Sequence, residues 1–442
     1  FDREYAGLPV LGGDLVVHLD RAGRYRSASQ AAREVPLAST TPRVTAPRAA
    51  DLAAAAFPGR ASISSPRLVV DAQAGPALAW ETVAEGVRKD GTPSEMHVLV
   101  DAATGALRDA WDDVQTVADD QGFFVGTVEL STTPTETGFE LRDPIRGGNH
   151  TTDLGGATSG TGTVFTDADD VWGDGTLADR QTVGVDAQYG VAQTWDYFLA
   201  THNRRGIAND GRGAYNRVHY GSAYNNAFWS DSCFCMTYGD GDGTTFNPFA
   251  ELDVAGHEMT HGITSRTANL RYSGESGGLN EATSDIFGSM VEFHTNNASD
   301  IADYLIGEKL RKSGAPLRYM DKPSRDGVSA DCWNRNVKNL DVHHSSGVGN
   351  HFFYLLAEGS GAKTINGVAY NSPTCNGKVV TGIGRDKAEK IWYRALTVYM
   401  TSTTTYSGAR AATLYAARDL HGSTSPEYAA VAATWSAVAV TK

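Results

Sequence analysis

Residues 257–261 read His-Glu-Met-Thr-His, and Glu281 follows twenty residues after the second histidine. Four steps of about 100° bring His261 one turn above His257 on the same side of a helix, so both imidazoles can address one point. The stretch Asn280 to Phe287 reads as a second helix, with Glu281 and Asp285 four apart on one face. The chain must therefore pack two helices so that two imidazoles and a carboxylate meet. Catalytic zinc takes such a set, His, His and Glu, leaving a fourth position for a water whose pKa it lowers towards about 7. Glu258 then stands as general base, and Asp285 as acceptor for the remaining N–H of His257. A His-Glu-x-x-His string alone also occurs on solvated helices. The second segment is what makes it a ligand set.

At 442 residues the chain exceeds a single core, and two or more domains are expected. A net charge of −14 without a basic cluster argues against nucleic acid or an anionic membrane surface as partner. No apolar run approaches the roughly 18 residues that cross a bilayer. The start, Phe1-Asp2-Arg3, leads to the expectation that any export signal has been removed. Cys233, Cys235, Cys332 and Cys375 allow three disulfide connectivities, which sequence alone does not decide. Cys332–Cys375, with Cys233–Cys235 as a tight local loop, is the favoured pairing for an oxidising extracellular compartment.

Residues 1 to about 117 contain no cysteine and show strand-like alternation in Leu15 to Asp20, Leu68 to Asp71, Ala79 to Val87 and Val98 to Gly105. The Pro/Thr/Ala stretch Pro36 to Pro47 reads as a linker between two small lobes. From Gly122 to about Tyr220 alternating Thr, Gly and apolar residues indicate a mostly antiparallel β lobe with one helix near Asp186 to His202. Helical periodicity follows in Ala388 to Met400, Ala409 to Leu420 and Pro426 to Val440. The Gly239 to Gly243 run lacks the Lys-Ser/Thr of a phosphate loop and reads as a turn.

Asp253 to Gly262 and Gly278 to Asp285, with Asn225 to Trp229, Tyr238 to Gly243, Leu317-Arg318 and Val342 to Gly347, resemble the thermolysin family of secreted zinc endopeptidases. The likeness covers the chain beyond about residue 120. It implies an α+β, zincin-type catalytic domain: a β-rich lobe, 118–265, ending in the zinc helix, and a helical lobe, 266–442. Ahead of them, residues 1–45 resemble the fungalysin/thermolysin-type propeptide and 46–117 a PepSY-like lobe. The resemblance implies one catalytic zinc on His257, His261 and Glu281, with Tyr272 and His343 on the oxyanion side. His344 is the rival to His343, and Asp341 is the residue expected to orient it. Without the motif, Tyr272 would be a half-buried aromatic and His343 a packed core residue. Asn226, the Ala227 carbonyl and Arg318 match positions that hold substrate backbone. Phe249, Val254 and Leu317 match a pocket for a hydrophobic side chain after the cleaved bond. Asp253, Glu292, Asp303 and Glu308 match a calcium site, and Asp167 and Asp169 a further calcium loop. Leu305 stands where relatives have a bridging glutamate, so one ion is expected in place of two.

The expected protein is thus a secreted, monomeric peptidase acting on proteins and peptides, with its own propeptide as folding aid and inhibitor, cleaved between about Asp113 and Phe123. The alternative is a secreted zinc- and calcium-binding scaffold without catalysis. The intact Glu258 argues against that alternative.

Overall fold

The computed structural model describes residues 3–13, 15–19, 24–30, 36–37, 39–57, 59–72, 75–88, 93–112 and 119–441. Phe1, Asp2, Asp20, Ala38 and residues 113–118 of the expected cleavage stretch lie outside them. The chain forms two compact units, Phe1–Val117 and Ala118–Lys442.

The first unit is built from strands β1 (Arg3–Tyr5), β2 (Leu8–Leu11), β3 (Leu15–Leu19) and β4 (Tyr25–Gln30), helix α1 (Ala46–Ala56), and strands β5 (Gly59–Ile63) through β6 (Arg67–Asp71), β7 (Ala77–Arg88), β8 (Pro93–Asp101) and β9 (Leu107–Asp112). The main sheet has the order β1-β2-β6-β7-β8-β9, with β5 also on β7, and β3 and β4 make a separate hairpin. The β2–β6 pair is parallel, so segments on either side of residue 45 share one sheet. Alternation along β8 explains its two faces: Val98 and Val100 pack with Ala53 of α1, while Leu99 packs with Val69 and Ala79 on the other side. Helix α1 cuts short the linker expected to reach Pro47. Pro47 sits in its first turn, where a missing N–H costs nothing, and Ala49 and Ala53, four apart, form its buried face.

The β-rich part of the second unit holds a five-stranded sheet in the order Thr163–Val164, His150–Asp153, Tyr215–Tyr220, Cys235–Gly239, Ala227–Ser230. As expected, the pairs within Gly122 to Tyr220 are mostly antiparallel, but this sheet is mixed: His150–Asp153 with Tyr215–Tyr220, and Tyr215–Tyr220 with Cys235–Gly239, run parallel. Parallel neighbours need a long crossover, and the segment with helix α2 (Arg180–His202) supplies the first one. The Gly239–Gly243 run is a turn, in which Asp242 Oδ1 accepts the backbone N–H groups of Thr244, Thr245 and Phe246.

Helices α3 (Leu252–Ser265) and α4 (Gly274–Thr295) form the centre of this unit. Beyond them lie α5 (Val342–Ser345), α6 (Gly347–Glu358), α7 (Arg385–Arg394), α8 (Tyr406–His421) and α9 (Pro426–Ala437). After α7 the backbone widens into one π-type turn over Ala395–Tyr399 and stops before Met400. Phe352, Trp392 and Trp435 are fully buried among α6, α7 and α9, and Phe352 stacks on Trp435 at 3.8 Å between centroids. Each such aromatic contributes on the order of 2 kcal/mol by burial. The cysteines pair as Cys233–Cys235 and Cys332–Cys375. Among the described residues no helix is long and apolar enough to cross a membrane.

Candidate metal centre

Helices α3 and α4 cross at glycine. A Cβ on Gly256 would lie 3.1 Å from the Gly288 Cα, and one on Gly288 would lie 2.5 Å from the Asp253 carbonyl oxygen. Only glycine permits this approach. Within α3, His257 Nε2 lies 3.0 Å from His261 Nε2, and the approach of α4 brings Glu281 carboxylate oxygens to 3.5 Å and 3.4 Å from the two nitrogens.

The surrounding bonds determine what these atoms offer. His257 Nδ1 lies 2.8 Å from Asp285 Oδ1 and donates to it. Asn280 donates Nδ2 to the Leu270 carbonyl, which leaves its Oδ1, 2.7 Å away, as acceptor for His261 Nδ1. Both Nε2 atoms therefore present lone pairs to each other, beside a Glu281 Oε2 that is buried without a hydrogen-bond partner. Such a set is repulsive unless a cation lies within it. Tetrahedral zinc, with zinc–nitrogen bonds near 2.0–2.1 Å, would hold its donors about 3.4 Å apart, so the site fits that ion. Without a metal a proton serves instead: burial would lower the pKa of His257, but Asp285 and Glu281 outweigh it and raise it to about 10. Burial would raise Glu281, yet the two imidazoles hold it well below the usual carboxylate range. Asp285 also accepts Nε and Nη2 of Arg318 and Nδ2 of Asn350. Four hydrogen bonds thus hold the carboxylate that orients His257.

A cleft of about 630 Å³ opens over this centre. Its walls include Glu258, Tyr272 and His343, the expected backbone-holding residues Asn226, Ala227 and Arg318, and the expected apolar pocket of Phe249, Val254 and Leu317, joined by Ile306. Burial raises the pKa of Glu258, against the pull of His257 and His261. The Tyr272 hydroxyl donates to Glu281 Oε1 and lies 3.3 Å from His343 Nε2. Burial, then the Glu281 charge, raises its pKa. His343 Nδ1 is 2.8 Å from Asp341 Oδ1, and its hydrogen bonds hold Asp341 below the carboxylate range. His344 is not part of the cleft wall.

A second group of acids surrounds the start of α3. Glu251, Asp253, Glu292, Asp300, Asp303 and Glu308 are buried or nearly so, and oxygens of Glu251, Asp253, Glu292, Asp300 and Glu308 lack any partner. Glu251, Asp300 and Glu308 bring oxygens close enough to hold one ion. Hard oxygen donors of this kind suit calcium. Lys309 ties down one side, donating to Asp300 Oδ1 and, at 2.5 Å, to the Ser299 carbonyl. Burial and mutual repulsion raise the pKa values of these acids, that of Asp253 to about 7 and of Asp303 to about 6. Leu305 is half-buried against the main core. Asp167 and Asp169 join neither group: Asp167 accepts from Asp169 N and Gln181 Nε2. Sequence reasoning missed Glu251, Asp300, Asn280, Asn350 and Ile306. Only Glu251, two residues before Asp253, and Asn280, beside Glu281, offered a local signal.

Residues 118–265 match the family model described as thermolysin metallopeptidase, catalytic domain, and 268–440 that of its alpha-helical domain. Residues 1–32 match the fungalysin/thermolysin propeptide motif. The chain is 53% identical to the transglutaminase-activating metalloprotease of Streptomyces mobaraensis, over 100% of this chain and 59% of that protein. It is 35% identical to thermolysin of Alicyclobacillus acidocaldarius subsp. acidocaldarius, over 100% of this chain and 83% of that protein. Among solved structures, the precursor of protealysin from Serratia proteamaculans aligns with a TM-score of 0.52 and 28% identity, covering 70% of this chain and 90% of that one. The chain thus spans 59% of the length of the Streptomyces relative.

Two outcomes follow from this geometry. Asn280→Ala removes the acceptor that orients His261 and is expected to weaken zinc binding about 10- to 100-fold, as competition with a chromophoric chelator would reveal. For the acid cluster the folded pKa values of Asp253 and Asp303 lie above the unfolded ones, so the fold gains most below about pH 4 and loses that contribution as pH rises through about 7. In chelator, the melting temperature should fall between pH 5 and pH 8, and added calcium should restore it at pH 8. A flat profile would contradict the buried, protonated cluster.

Proposed function

The chain belongs to the thermolysin metallopeptidase family, and from that premise we propose that it is a secreted, zinc-dependent endopeptidase that carries its own propeptide. The convergence of His257, His261 and Glu281 under a cleft containing Glu258 is the observation that carries this reading. Zinc held by these three side chains would supply a Lewis acid that polarises a carbonyl and lowers the pKa of water. Glu258, its pKa raised by burial, takes the proton from the attacking water and returns it to the leaving nitrogen. Tyr272 and His343 donate hydrogen bonds to the oxygen on which negative charge develops. Asp341 keeps the His343 ring in place by taking its Nδ1 hydrogen.

Asn226, the Ala227 carbonyl and Arg318 hold the peptide extended along the cleft. Phe249, Val254 and Leu317, with Ile306, accept an apolar side chain after the cleaved bond. Glu251, Asp253, Glu292, Asp300, Asp303 and Glu308 would hold calcium, which would balance the carboxylate oxygens that the described residues leave without partners. The two disulfides agree with an oxidising, extracellular location. Residues 1–45 and 46–117 act as a two-part propeptide that aids folding and restrains the peptidase, whose lobes are 118–265 and 266–442. The active form is a monomer with proteins and peptides as substrates.

Hydrolysis of an internally quenched peptide with Leu or Phe after the cleaved bond tests the chemistry. Glu258→Ala should lower kcat by about 10²- to 10⁴-fold while zinc binding persists, and a chelator should abolish turnover. Turnover that survives Glu258→Ala would discard this mechanism. For the propeptide, intact mass and peptide hydrolysis are followed together after adding zinc and calcium. Activity should rise as a cut appears between about Asp113 and Phe123, and a chain fully active before any cut would rule out restraint.

A further inference from the structure

The cleft follows helix α3 and its two ends differ in chemistry. Val254 and Ser265, both lining it, are eleven residues apart, about 16 Å along a helix, with His257 and His261 between them. Around Val254 lie Phe249, Ile306 and Leu317. Towards Ser265 the lining combines Trp229, which lies against Gly262, with the polar Asp231, Asn269 and Arg271. Asp231 is already engaged there, its Oδ1 accepting from Arg266 at 2.8 Å and from Ser265 Oγ at 2.9 Å. Arg271 is not: it is exposed, and among the described residues its guanidinium has no hydrogen bond, ion pair or ring contact.

Its backbone, by contrast, is held tightly. The Leu270 carbonyl before it accepts from Asn280, which orients His261. Tyr272 after it donates to Glu281. Arg271 N itself donates to the Ser402 carbonyl at 2.8 Å. A free cation is thus mounted on a segment braced against two metal-centre residues, in a chain of net charge −14 whose cleft floor holds Glu258 and Glu281. The other guanidinium in the cleft wall, that of Arg318, is bound to Asp285, so among the described residues Arg271 is the unengaged cation of the lining that an acidic side chain could meet.

We propose that Arg271 is a specificity-determining residue that pairs with an acidic side chain on the substrate, before the cleaved bond. The direction rests on the peptidase reading: with the residue after the cleaved bond in the Val254–Leu317 pocket, those before it run towards Ser265 and Arg271. A guanidinium matches a carboxylate with two parallel donors, a geometry that neither Asn269 nor Ser265 can supply.

The test uses the full chain after incubation with zinc and calcium, and peptides with Leu after the cleaved bond. Glu, Gln or Lys is placed in turn at each of the three preceding positions, and kcat/KM is compared within each enzyme form. At one position the wild type should favour Glu over Gln by about two- to fivefold, the range expected of an exposed ion pair, and less so in high salt. Arg271→Lys should keep part of that ratio, Arg271→Ala should bring it to one, and Arg271→Glu should shift the preference to Lys. Equal kcat/KM for Glu and Gln in the wild type, or a Glu preference untouched by Arg271→Ala, overturns the proposal while leaving the peptidase reading intact. Absence of hydrolysis of every peptide by every form overturns both.

Discussion

The second unit depends on the contact of α3 with α4 at Gly256 and Gly288. A side chain at Gly288 would meet the Asp253 carbonyl oxygen at 2.5 Å and force the helices apart, and one at Gly256 would press on the Gly288 Cα at 3.1 Å. A shift of even 1 Å would separate Glu281 from the two imidazoles, from which its oxygens now lie 3.4–3.5 Å away, and a metal centre tolerates little of that. Apolar packing of Phe287, Ile286 and Met259 drives the helices together, but it is non-directional. The glycines convert general attraction into a defined distance.

The same helix joins two places where burial works against ionisation. At its middle, desolvation of His257 is offset by Asp285 and Glu281, and that of Glu281 by the two imidazoles, while Arg318 and Asn350 hold Asp285 and Asn280 orients His261. At its start, Asp253 sits among acids whose only nearby ammonium, among the described residues, is that of Lys309. Asp253 accepts the Gly307 N–H, and the chain segment carrying Glu308 and Lys309 is thereby attached to the turn of helix that leads into His257. One hydrogen bond thus ties the acid cluster to the helix that carries His257.

Much of the site was legible because it is carried by local spacing. His257, Glu258 and His261 share a helix, Glu281 and Asp285 share another, and Asp341 lies two residues from His343, so helix geometry alone relates them. The contributions that went unseen come from distant segments. Asn350 reaches Asp285 across 65 residues, and Asp300 meets Glu251 across a comparable span, neither with any periodicity to mark it. The β lobe shows the same limit: alternation identified strands, but whether His150–Asp153 and Tyr215–Tyr220 run parallel depended on the crossover between them.

By itself the sequence indicated the candidate ligand types, the candidate base and the order of a β-rich and a helical part, which follow from residue chemistry combined with the 3.6-residue turn or the two-residue pleat. The residues expected to line the cleft came instead from the resemblance to a known family. Tertiary structure alone decided the tautomers of His257 and His261, which of the adjacent histidines faces the cleft, the addition of Glu251 and Asp300 to the expected acids, and, among the described residues, the isolation of the Arg271 side chain from any partner. These depend on distances between groups far apart in the chain, and such distances are set only when the two helices close on Gly256 and Gly288.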